Sequence, residues 1–266
     1  MKNNNKLISV LITHFNRAHD LFKCIEAIHN LGFSNYEVVV SDDGSDNDTI
    51  ALIKTYKFDQ LVLSERNKGL AANINKGLKA CKGNYILYCQ EDFKLHHEIK
   101  NILPECIKLL DSNETDLIRF TSNLKFNKLN SLSSNIKSIP RFSFKNFLQN
   151  YYRYSDHPFI TTNQFHNKFG YYMENTSGRY GETEYGIRIS NSKANIAITN
   201  KTFANIIDGS ESILINEFKP KKYKIIFSKS IIKIVRAFRL YFEWVFYMKN
   251  RRGLITYKNA RKLTRN

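Results

Sequence analysis

The chain of 266 residues is long enough for one large α/β domain or two small ones. Hydrophobic residues make up 42% and charged residues 24%, with only 4 Pro and 11 Gly, so wholesale disorder and fibrous architectures are excluded. The 41 Lys and Arg against 24 Asp and Glu give a formal net charge of +17, which predicts a polyanionic partner such as nucleic acid, an anionic membrane or a phosphorylated substrate.

The positive charge is concentrated at the end of the chain. Residues 219–266 contain 15 Lys and Arg and a single acid, Glu243, so this stretch carries +14 of the net charge. The residues before it carry only +3. Because a nucleic-acid enzyme more often has a basic cleft through its body, we expect no nucleic-acid partner.

The cysteines and the apolar runs indicate the compartment. Four cysteines form no CxxC pair and do not cluster with His, so we expect neither a zinc site nor a disulfide framework. The first apolar run is too short for a signal peptide, and no window approaches the roughly 18 uncharged apolar residues of a membrane span. We therefore expect a cytoplasmic body with reduced thiols.

The first half of the chain alternates short apolar runs with segments of helical periodicity. The pattern predicts strands at 7–13, 36–41, 60–63, 84–89 and 116–121, and helices at 20–30, 46–56, 70–79 and 97–110. Strands that are apolar throughout and separated by helices indicate a parallel sheet covered on both faces. Ligands bind beyond the carboxyl ends of such strands, where this sequence has polar clusters at 14–17, 42–43 and 90–92.

The second half is less regular. From about residue 123 to 140 the pattern dissolves into Ser, Asn and Lys, which predicts a loop or crossover. Residues 141–189 are rich in Phe and Tyr, which can stack on a flat or sugar-like ligand but more often form core.

Three segments, in this order, resemble the nucleotide-sugar half of a family 2-type glycosyltransferase with the GT-A fold. SVLITHFNR (Ser9–Arg17) resembles the family's strand-and-turn opening, with Thr-His-Phe in place of the usual Pro-Thr-Tyr. VVVSDDGSDNDT (Val38–Thr49) is similar to an aspartate pair followed by Gly-Ser, and Asn67–Phe93 contains the Asn-x-Gly and Gly-x-Tyr-Ile elements that lead to the family's metal site. The resemblance covers roughly the first 120 residues well and the next 70 loosely.

The resemblance implies a donor site at these strand ends, most commonly for a UDP-linked sugar. It assigns donor contacts to Thr13, Phe15, Asn16, Arg17, Asp42, Asp43, Asn67, Gly69, Asn75, Gln90 and Glu91. Asp42 would contact the nucleobase, since a carboxylate can accept hydrogen bonds from a base imide N–H or from ribose hydroxyls. The alternative is that Asp42 only shapes a turn with a helix cap.

The segment Gln90-Glu91-Asp92 aligns with the family's Asp-x-Asp metal motif. Asp92 keeps the last Asp and is the candidate ligand of Mn²⁺ or Mg²⁺, which would neutralise the donor diphosphate. Glu91 supplies a second carboxylate, for the metal or the ribose. Gln90 replaces the first Asp, and Ile74 and Asn205 stand where relatives have Arg and His, so the phosphate and metal contacts depart from the usual pattern.

The segment RYGETEYGIRI (Arg179–Ile189) resembles the family's acid pair before a helix that ends in Arg. Glu182 falls on the usual position of the catalytic base and Glu184 on the later acid. In an inverting transfer such a carboxylate takes the acceptor proton. The alternative is a solvated first helical turn. His157 and Arg179 are predicted to contact the acceptor.

Residues 228–247 have apolar and charged residues at three-and-four spacing, which predicts an amphipathic helix between basic clusters at 219–222 and 249–252. We expect residues 219–252 to bind an anionic membrane surface, with the protein peripheral on the inner face of the cell membrane. The alternative is a helix packed on the body with its basic face in solvent.

The sequence therefore predicts an α/β, GT-A-like protein: a mostly parallel sheet flanked by helices, with a C-terminal basic amphipathic helical tail. We place the nucleotide-sugar-binding half at 1–122, the acceptor-binding and catalytic half at 123–217 and the tail at 218–266. The expected activity is inverting, metal-dependent sugar transfer to a glycan or lipid-linked glycan in surface polysaccharide biosynthesis. A nucleotidyltransferase on a similar core, which would need a Gly-rich basic loop absent after 7–13, and a non-catalytic glycan- or membrane-binding module remain alternatives.

Overall fold

The fold is taken from a computed structural model that describes residues 6–122, 124–175, 178–210 and 229–246, with the backbone alone for 178–180, 229–230 and 244. The described helices are α1 (Ala18–His29), α2 (Asn47–Ile53), α3 (Leu70–Ala80), α4 (Ile99–Asp111), α5 (Phe165–Phe169), α6 (Gly178–Asn191) and α7 (Lys229–Phe246). Single 3-10 turns lie at Phe144–Asn146 and Asn150–Tyr152.

Eleven strands form two sheets in the described part of the chain. They are β1 (Ile8–His14), β2 (Tyr36–Asp42), β3 (Gln60–Val62), β4 (Tyr85–Gln90), β5 (Phe93–Leu95), β6 (Leu117–Arg119), β7 (Asn130–Ser131), β8 (Ile136–Ile139), β9 (Phe159–Thr162), β10 (Ile196–Thr199) and β11 (Ala204–Ile206). The large sheet has the order β3-β2-β1-β4-β9-β6-β10-β8-β7, and β5 pairs with β11 in the small one.

The first four strands of the large sheet run parallel, so their carboxyl ends meet at one edge. Beyond them β9 lies antiparallel between β4 and β6, and β10 pairs with β6 in parallel. The two predicted halves of the domain therefore share one sheet. The segment 123–140, predicted as a loop, contains β7 and β8, which are too short and polar to show a strand period.

Alternate side chains of the central strands enter two apolar clusters, which confirms a sheet covered on both faces. Val10 and Ile12 of β1 pack with buried residues of α1 and α4, whereas Leu11 between them packs with residues of α3 and α6. Gly77 lets α3 approach β1 closely, because a Cβ there would lie 2.4 Å from Leu11 Cδ1. This close approach carries the start of α3 to the carboxyl edge of the sheet.

The predicted amphipathic helix is present as α7, but neither expected placement describes it fully. It packs against α6 and the turn at Asn150–Tyr152, with Ala237, Leu240 and Glu243 buried, so it lies on the body. Most of its large apolar side chains, Leu240 excepted, are nevertheless exposed. Among the described helices, none is both long and apolar enough to cross a bilayer. The basic clusters at 219–222 and 249–252 lie outside the described residues.

Candidate active site

The loops that follow β1 and β2 are tied to each other at the carboxyl edge of the sheet. Asn16 adopts a positive φ of 51°, its N–H donates to Ser45 Oγ over 2.9 Å, and its Oδ1 accepts from the N–H of Asp46 over 2.9 Å. Asn16 thus joins the two loops, as its short polar side chain and tolerance of the left-handed region allow. Phe15 and Arg17, on either side of it, are half-buried.

Asp42 is fully buried, and neighbouring groups of the protein form hydrogen bonds with both of its carboxylate oxygens. His14 Nε2 accepts from the N–H of Arg17 over 3.1 Å, so the proton on Nδ1 is donated to Asp42 Oδ2 over 2.8 Å. The backbone N–H groups of Gly44 and Ser45 donate to Oδ1 over 3.0 and 2.9 Å. Burial opposes ionisation, but the bonds from His14 and Ser45 hold the pKa of Asp42 below its ordinary value. These contacts build the turn; a contact with the nucleobase stays a prediction.

Asp43 orders the loop that precedes α3. Its two oxygens accept the backbone N–H groups of Lys68 over 2.9 Å and Gly69 over 2.8 Å, and burial raises its pKa. Gly69 has a φ of 88°, a conformation that favours glycine, and its N–H also donates to Asn67 Oδ1 over 3.0 Å. Nearby, Lys76 Nζ donates to the Asp42 carbonyl and to Ser64 Oγ, a basic group that the motif comparison did not single out.

Two of the predicted donor residues face the interior of the protein. Thr13 Oγ1 lies 3.2 Å from the hydroxyl of buried Tyr88. Asn75 Nδ2 donates to the Tyr172 carbonyl over 3.0 Å and to Glu174 Oε1 over 2.8 Å, and its Oδ1 accepts from the N–H of Tyr172 over 3.0 Å. Asn75 therefore fastens α3 to the segment before α6.

Asp92 lies in the two-residue turn between β4 and β5, and one of its carboxylate oxygens has no hydrogen-bond partner among the described residues. Its Oδ2 is 3.5 Å from Arg17 Nη1, which also donates to Ser210 Oγ over 3.2 Å. Ser210 in turn donates to Asp20 Oδ2 over 2.9 Å. Asp92 Oδ1 is buried and has no hydrogen-bond partner among the described residues. Asp20 and Ser210 carry no motif of their own, so the sequence did not reveal that they hold Arg17 beside Asp92.

Burial raises the pKa of both Glu91 and its neighbour Asp92. Glu91 is buried, and burial together with the Asp92 charge raises its pKa to about 8, so it is mostly protonated at neutral pH. Gln90 is half-buried and bonds to the Tyr88 hydroxyl. Asn205 is exposed on β11, two residues before Ile207, whose N–H donates to the Asp92 carbonyl over 2.7 Å.

The residues present fit a cation that is held mainly by the phosphates of a bound substrate. The described residues contain no group of three His, Cys, Asp or Glu side chains arranged to hold a metal. Mg²⁺ and similar cations are commonly held by one or two carboxylates together with substrate phosphates. Asp92 Oδ1, which has no hydrogen-bond partner among the described residues, would supply one such carboxylate oxygen, and a contact of Glu91 with the cation or the ribose stays a prediction.

The two candidate bases lie on α6 and point in different directions, because residues two apart on a helix are about 200° apart around its axis. Glu184 is buried, and its oxygens accept from Arg188 Nε over 2.9 Å and Nη2 over 3.1 Å. Arg188 also donates to the carbonyls of Phe169 and Tyr171. Glu184 therefore holds α6 against the preceding segment, whereas Glu182 is only half-buried.

Asp156, which the motif comparison passed over, lies buried beside Glu182. Tyr172 Oη donates to its Oδ1 over 2.8 Å, and its Oδ2 has no hydrogen-bond partner among the described residues. Burial, and then the negative charge of Glu182, raise the pKa of Asp156 to about 8. The one sequence signal for it is that no acid lies between Asp116 and Asp156.

His157 connects the two parts of the candidate site. Its ring lies 5.3 Å from that of Phe93, the residue after Asp92, and Asp156 precedes it in the chain. Burial and the Arg119 guanidinium lower the pKa of His157 to about 4, so its ring is neutral at pH 7. The loop Asp156-His157 thus contacts Phe93, the residue after Asp92, and lies close enough to Glu182 for the Glu182 charge to act on Asp156. Acceptor contacts of His157 and Arg179 stay predictions; the Arg179 side chain lies outside the described part.

We expect Asp156→Asn to change how stability depends on pH. With a folded pKa near 8 and an ordinary value near 4, the folded chain keeps a proton that the unfolded chain loses, so wild-type stability falls as pH rises from about 4 to 8. Asn removes this loss. Its melting temperature, relative to wild type, should therefore rise by about 5 °C or more between pH 5 and pH 8.5. Asp208→Asn, at an exposed acid, should follow the wild-type profile, and a parallel profile for Asp156→Asn would contradict this assignment.

The chain is similar to known proteins both in sequence and in fold. The family model described as glycosyl transferase family 2 matches residues 9–174. The Escherichia coli UDP-Glc:alpha-D-GlcNAc-diphosphoundecaprenol beta-1,3-glucosyltransferase WfaP is 29% identical over 89 residues, which are 33% of this chain and 36% of that protein. Matches to other curated relatives span between 15% and 41% of the relatives' lengths.

Two solved structures share the fold. Staphylococcus aureus TarS 1–349 in complex with UDP-GlcNAc has a TM-score of 0.58 at 17% identity, over 77% of this chain and 59% of that one. The Pyrobaculum calidifontis mannosyltransferase PcManGT in complex with GDP-Man and Mn²⁺ has a TM-score of 0.53 at 14% identity, over 73% and 54% of the two chains. These likenesses confirm the GT-A-like α/β fold, and the family model covers more than half of the sequence. The chain therefore belongs to glycosyl transferase family 2.

Proposed function

We propose that this chain transfers a sugar from a nucleotide-diphosphate donor, most commonly UDP-linked, to a hydroxyl of a glycan or lipid-linked glycan, with inversion and with a divalent cation. Two observations support the proposal: Asp92 Oδ1 has no hydrogen-bond partner among the described residues, and the loop Asp156-His157 contacts Phe93, next to Asp92, and feels the charge of Glu182. Such a transfer needs one carboxylate that holds the cation of the diphosphate and a second carboxylate that takes a proton.

On the donor side, we assign Asp92 and Arg17 to the diphosphate. Asp92 would hold Mn²⁺ or Mg²⁺, and such a cation, when bound, neutralises the charge that develops on the leaving diphosphate. Arg17 lies 3.5 Å from Asp92 and donates to Ser210, and we assign its guanidinium to a phosphate oxygen of the donor. The loops ordered by Asp42 and Asp43 form the nucleoside side of this region.

On the acceptor side, we assign the base to Glu182. Its carboxylate takes the proton of the acceptor hydroxyl while that oxygen attacks the anomeric carbon, and the bond from this carbon to the diphosphate oxygen breaks with its electron pair leaving on the diphosphate. Attack opposite the leaving group inverts the anomeric configuration. Asp156 is protonated at neutral pH and so adds no second charge beside this base.

The setting we propose is surface polysaccharide biosynthesis at the inner face of the cell membrane. One relative is named for a diphosphoundecaprenol acceptor, and the strongly basic residues 219–266 suit an anionic bilayer. A lipid-linked acceptor would be presented at that surface.

The test is a donor screen on the purified chain. UDP- and GDP-linked sugars, each with Mn²⁺, Mg²⁺ or EDTA, are scored for thermal stabilisation and for slow hydrolysis of the donor. We expect one nucleotide class to raise the melting temperature and to be hydrolysed only with the cation. Binding of glycans without hydrolysis of any donor would favour the non-catalytic binding module instead.

A further inference from the structure

The C-terminal helix α7 meets the body through its polar side. Arg236 Nη1 donates to Tyr152 Oη over 3.0 Å, and its guanidinium lies 5.9 and 5.5 Å from the rings of Tyr151 and Tyr152. Tyr241 Oη donates to the Phe147 carbonyl over 2.7 Å and accepts from Asn150 Nδ2 over 3.1 Å. A basic residue and a hydroxyl therefore share this contact with only two buried apolar side chains, Ala237 and Leu240.

The apolar side of α7 faces away from the body. Phe238 is 62% and Val245 76% exposed. The other large apolar side chains that are exposed on this helix are Ile231, Ile232, Ile234, Val235, Phe242 and Phe246. Exposed apolar surface of this extent on one element marks an interaction site.

Three aromatic side chains of the body continue this surface. Phe144 is 82% exposed, and Phe142 and Phe147 are also exposed. The Phe147 ring lies 6.4 Å from that of Phe238, and the Phe142 ring lies 4.9 Å from that of Phe144. We call the exposed apolar residues of α7 together with Phe142, Phe144 and Phe147 the aromatic–helix face.

The charge around the aromatic–helix face is of one sign. Residues 141–147, which contain the three phenylalanines, include two exposed bases, Arg141 and Lys145, and no acid. The single acid of α7, Glu243, is fully buried. Two copies of such a face would repel each other, whereas an anionic surface would be attracted to it.

We propose that the aromatic–helix face is a membrane-insertion surface: α7 lies flat on an anionic lipid bilayer, and Phe142, Phe144 and Phe147 of the body enter the headgroup region beside it. An exposed apolar stripe rimmed by bases suits this interface. The proposal rests on the proposed membrane setting and extends it, because residues of the body, and not only those of the tail, contact the bilayer.

Binding through the aromatic–helix face would also set the position of the candidate active site relative to the bilayer. Tyr151, which lies under Arg236, shares a side-chain hydrogen bond with Thr183, the neighbour of Glu182 on α6. The helix on the bilayer is therefore packed against the elements that carry the candidate base. A lipid-linked acceptor would reach the site from the membrane side.

The first test is vesicle flotation of the full chain with phosphatidylglycerol–phosphatidylcholine and with pure phosphatidylcholine vesicles. At 1 M salt, where the Debye length is about 3 Å, the remaining binding reports apolar insertion. We expect Phe144→Ser/Phe238→Ser to lower this binding about tenfold or more. The matched control Phe22→Ser/Leu52→Ser, at exposed apolar residues of α1 and α2, should stay close to wild type.

The second test separates the body from the helix. In Phe144→Trp, vesicles with brominated acyl chains should quench more tryptophan emission than in Leu52→Trp, with the native Trp244 as the common background. Quenching no greater than in Leu52→Trp, or wild-type binding by the double Ser variant, would overturn the proposal. A wild-type dimer that the double Ser variant dissociates, without a vesicle effect, would instead assign the face to self-association. Donor hydrolysis should be the same in all these variants, so a failure here is distinct from a failure of the proposed function.

Discussion

Replacing Asp92 with Asn is expected to lower sugar transfer by about 10³-fold while leaving the fold intact. The buried Oδ1 of Asp92 has no partner among the described residues, and leaving such an oxygen unsatisfied is costly unless a ligand completes it. Asn keeps the shape of the side chain but removes the charge that would hold a cation. Cation-dependent stabilisation by UDP should therefore disappear together with the activity.

Asp208→Asn is the matched control, since Asp208 is an exposed acid two residues before Ser210. We expect it to keep wild-type activity and wild-type stabilisation by UDP with Mn²⁺. Gln90→Asp, which restores the family's first acid, should be tolerated. Normal turnover by Asp92→Asn, or full wild-type activity in excess EDTA, would remove Asp92 from the metal site.

The donor half of the fold was predictable because its signals are local. β1, β2 and β4 are short apolar runs separated by helices, and such strands have to lie parallel in a covered sheet. Parallel strands bring their carboxyl ends to one edge, so the polar clusters after β1, β2 and β4 meet there. The motif at 90–92 likewise gave the position of Asp92, although not the partners of its neighbours.

The rest of the candidate site depends on contacts between distant parts of the chain. Asn75 has the spacing of a donor residue, but its amide bonds to Tyr172, almost a hundred residues away. Asp156 becomes buried because β9 inserts between β4 and β6, a pairing that no sequence period announces. The residue pattern of α7 predicts an apolar face and a polar face but does not say which of them packs against the body. The hydrogen bonds of Arg236 and Tyr241 show that the polar face does.

Glu182→Gln is expected to lower kcat by about 10²-fold or more, with the KM for the donor little changed. Gln matches Glu in shape but cannot accept the acceptor proton, so the loss falls on the chemical step. Any rise of kcat with pH that the base imposes should also disappear in this variant. Its melting temperature should stay near that of wild type, because Glu182 is only half-buried on the first turns of α6.

Glu184→Gln is expected to show the opposite result: a lower melting temperature with little change in kcat. Glu184 forms a buried ion pair with Arg188, which also holds the carbonyls of Phe169 and Tyr171. Weakening a buried pair from one side destabilises a protein, so this variant should melt at a lower temperature while its folded fraction keeps nearly wild-type kcat. If Glu184→Gln instead shows the larger loss of kcat and Glu182→Gln turns over normally, the base is Glu184, and the orientation of α6 towards the acceptor has to be reassigned.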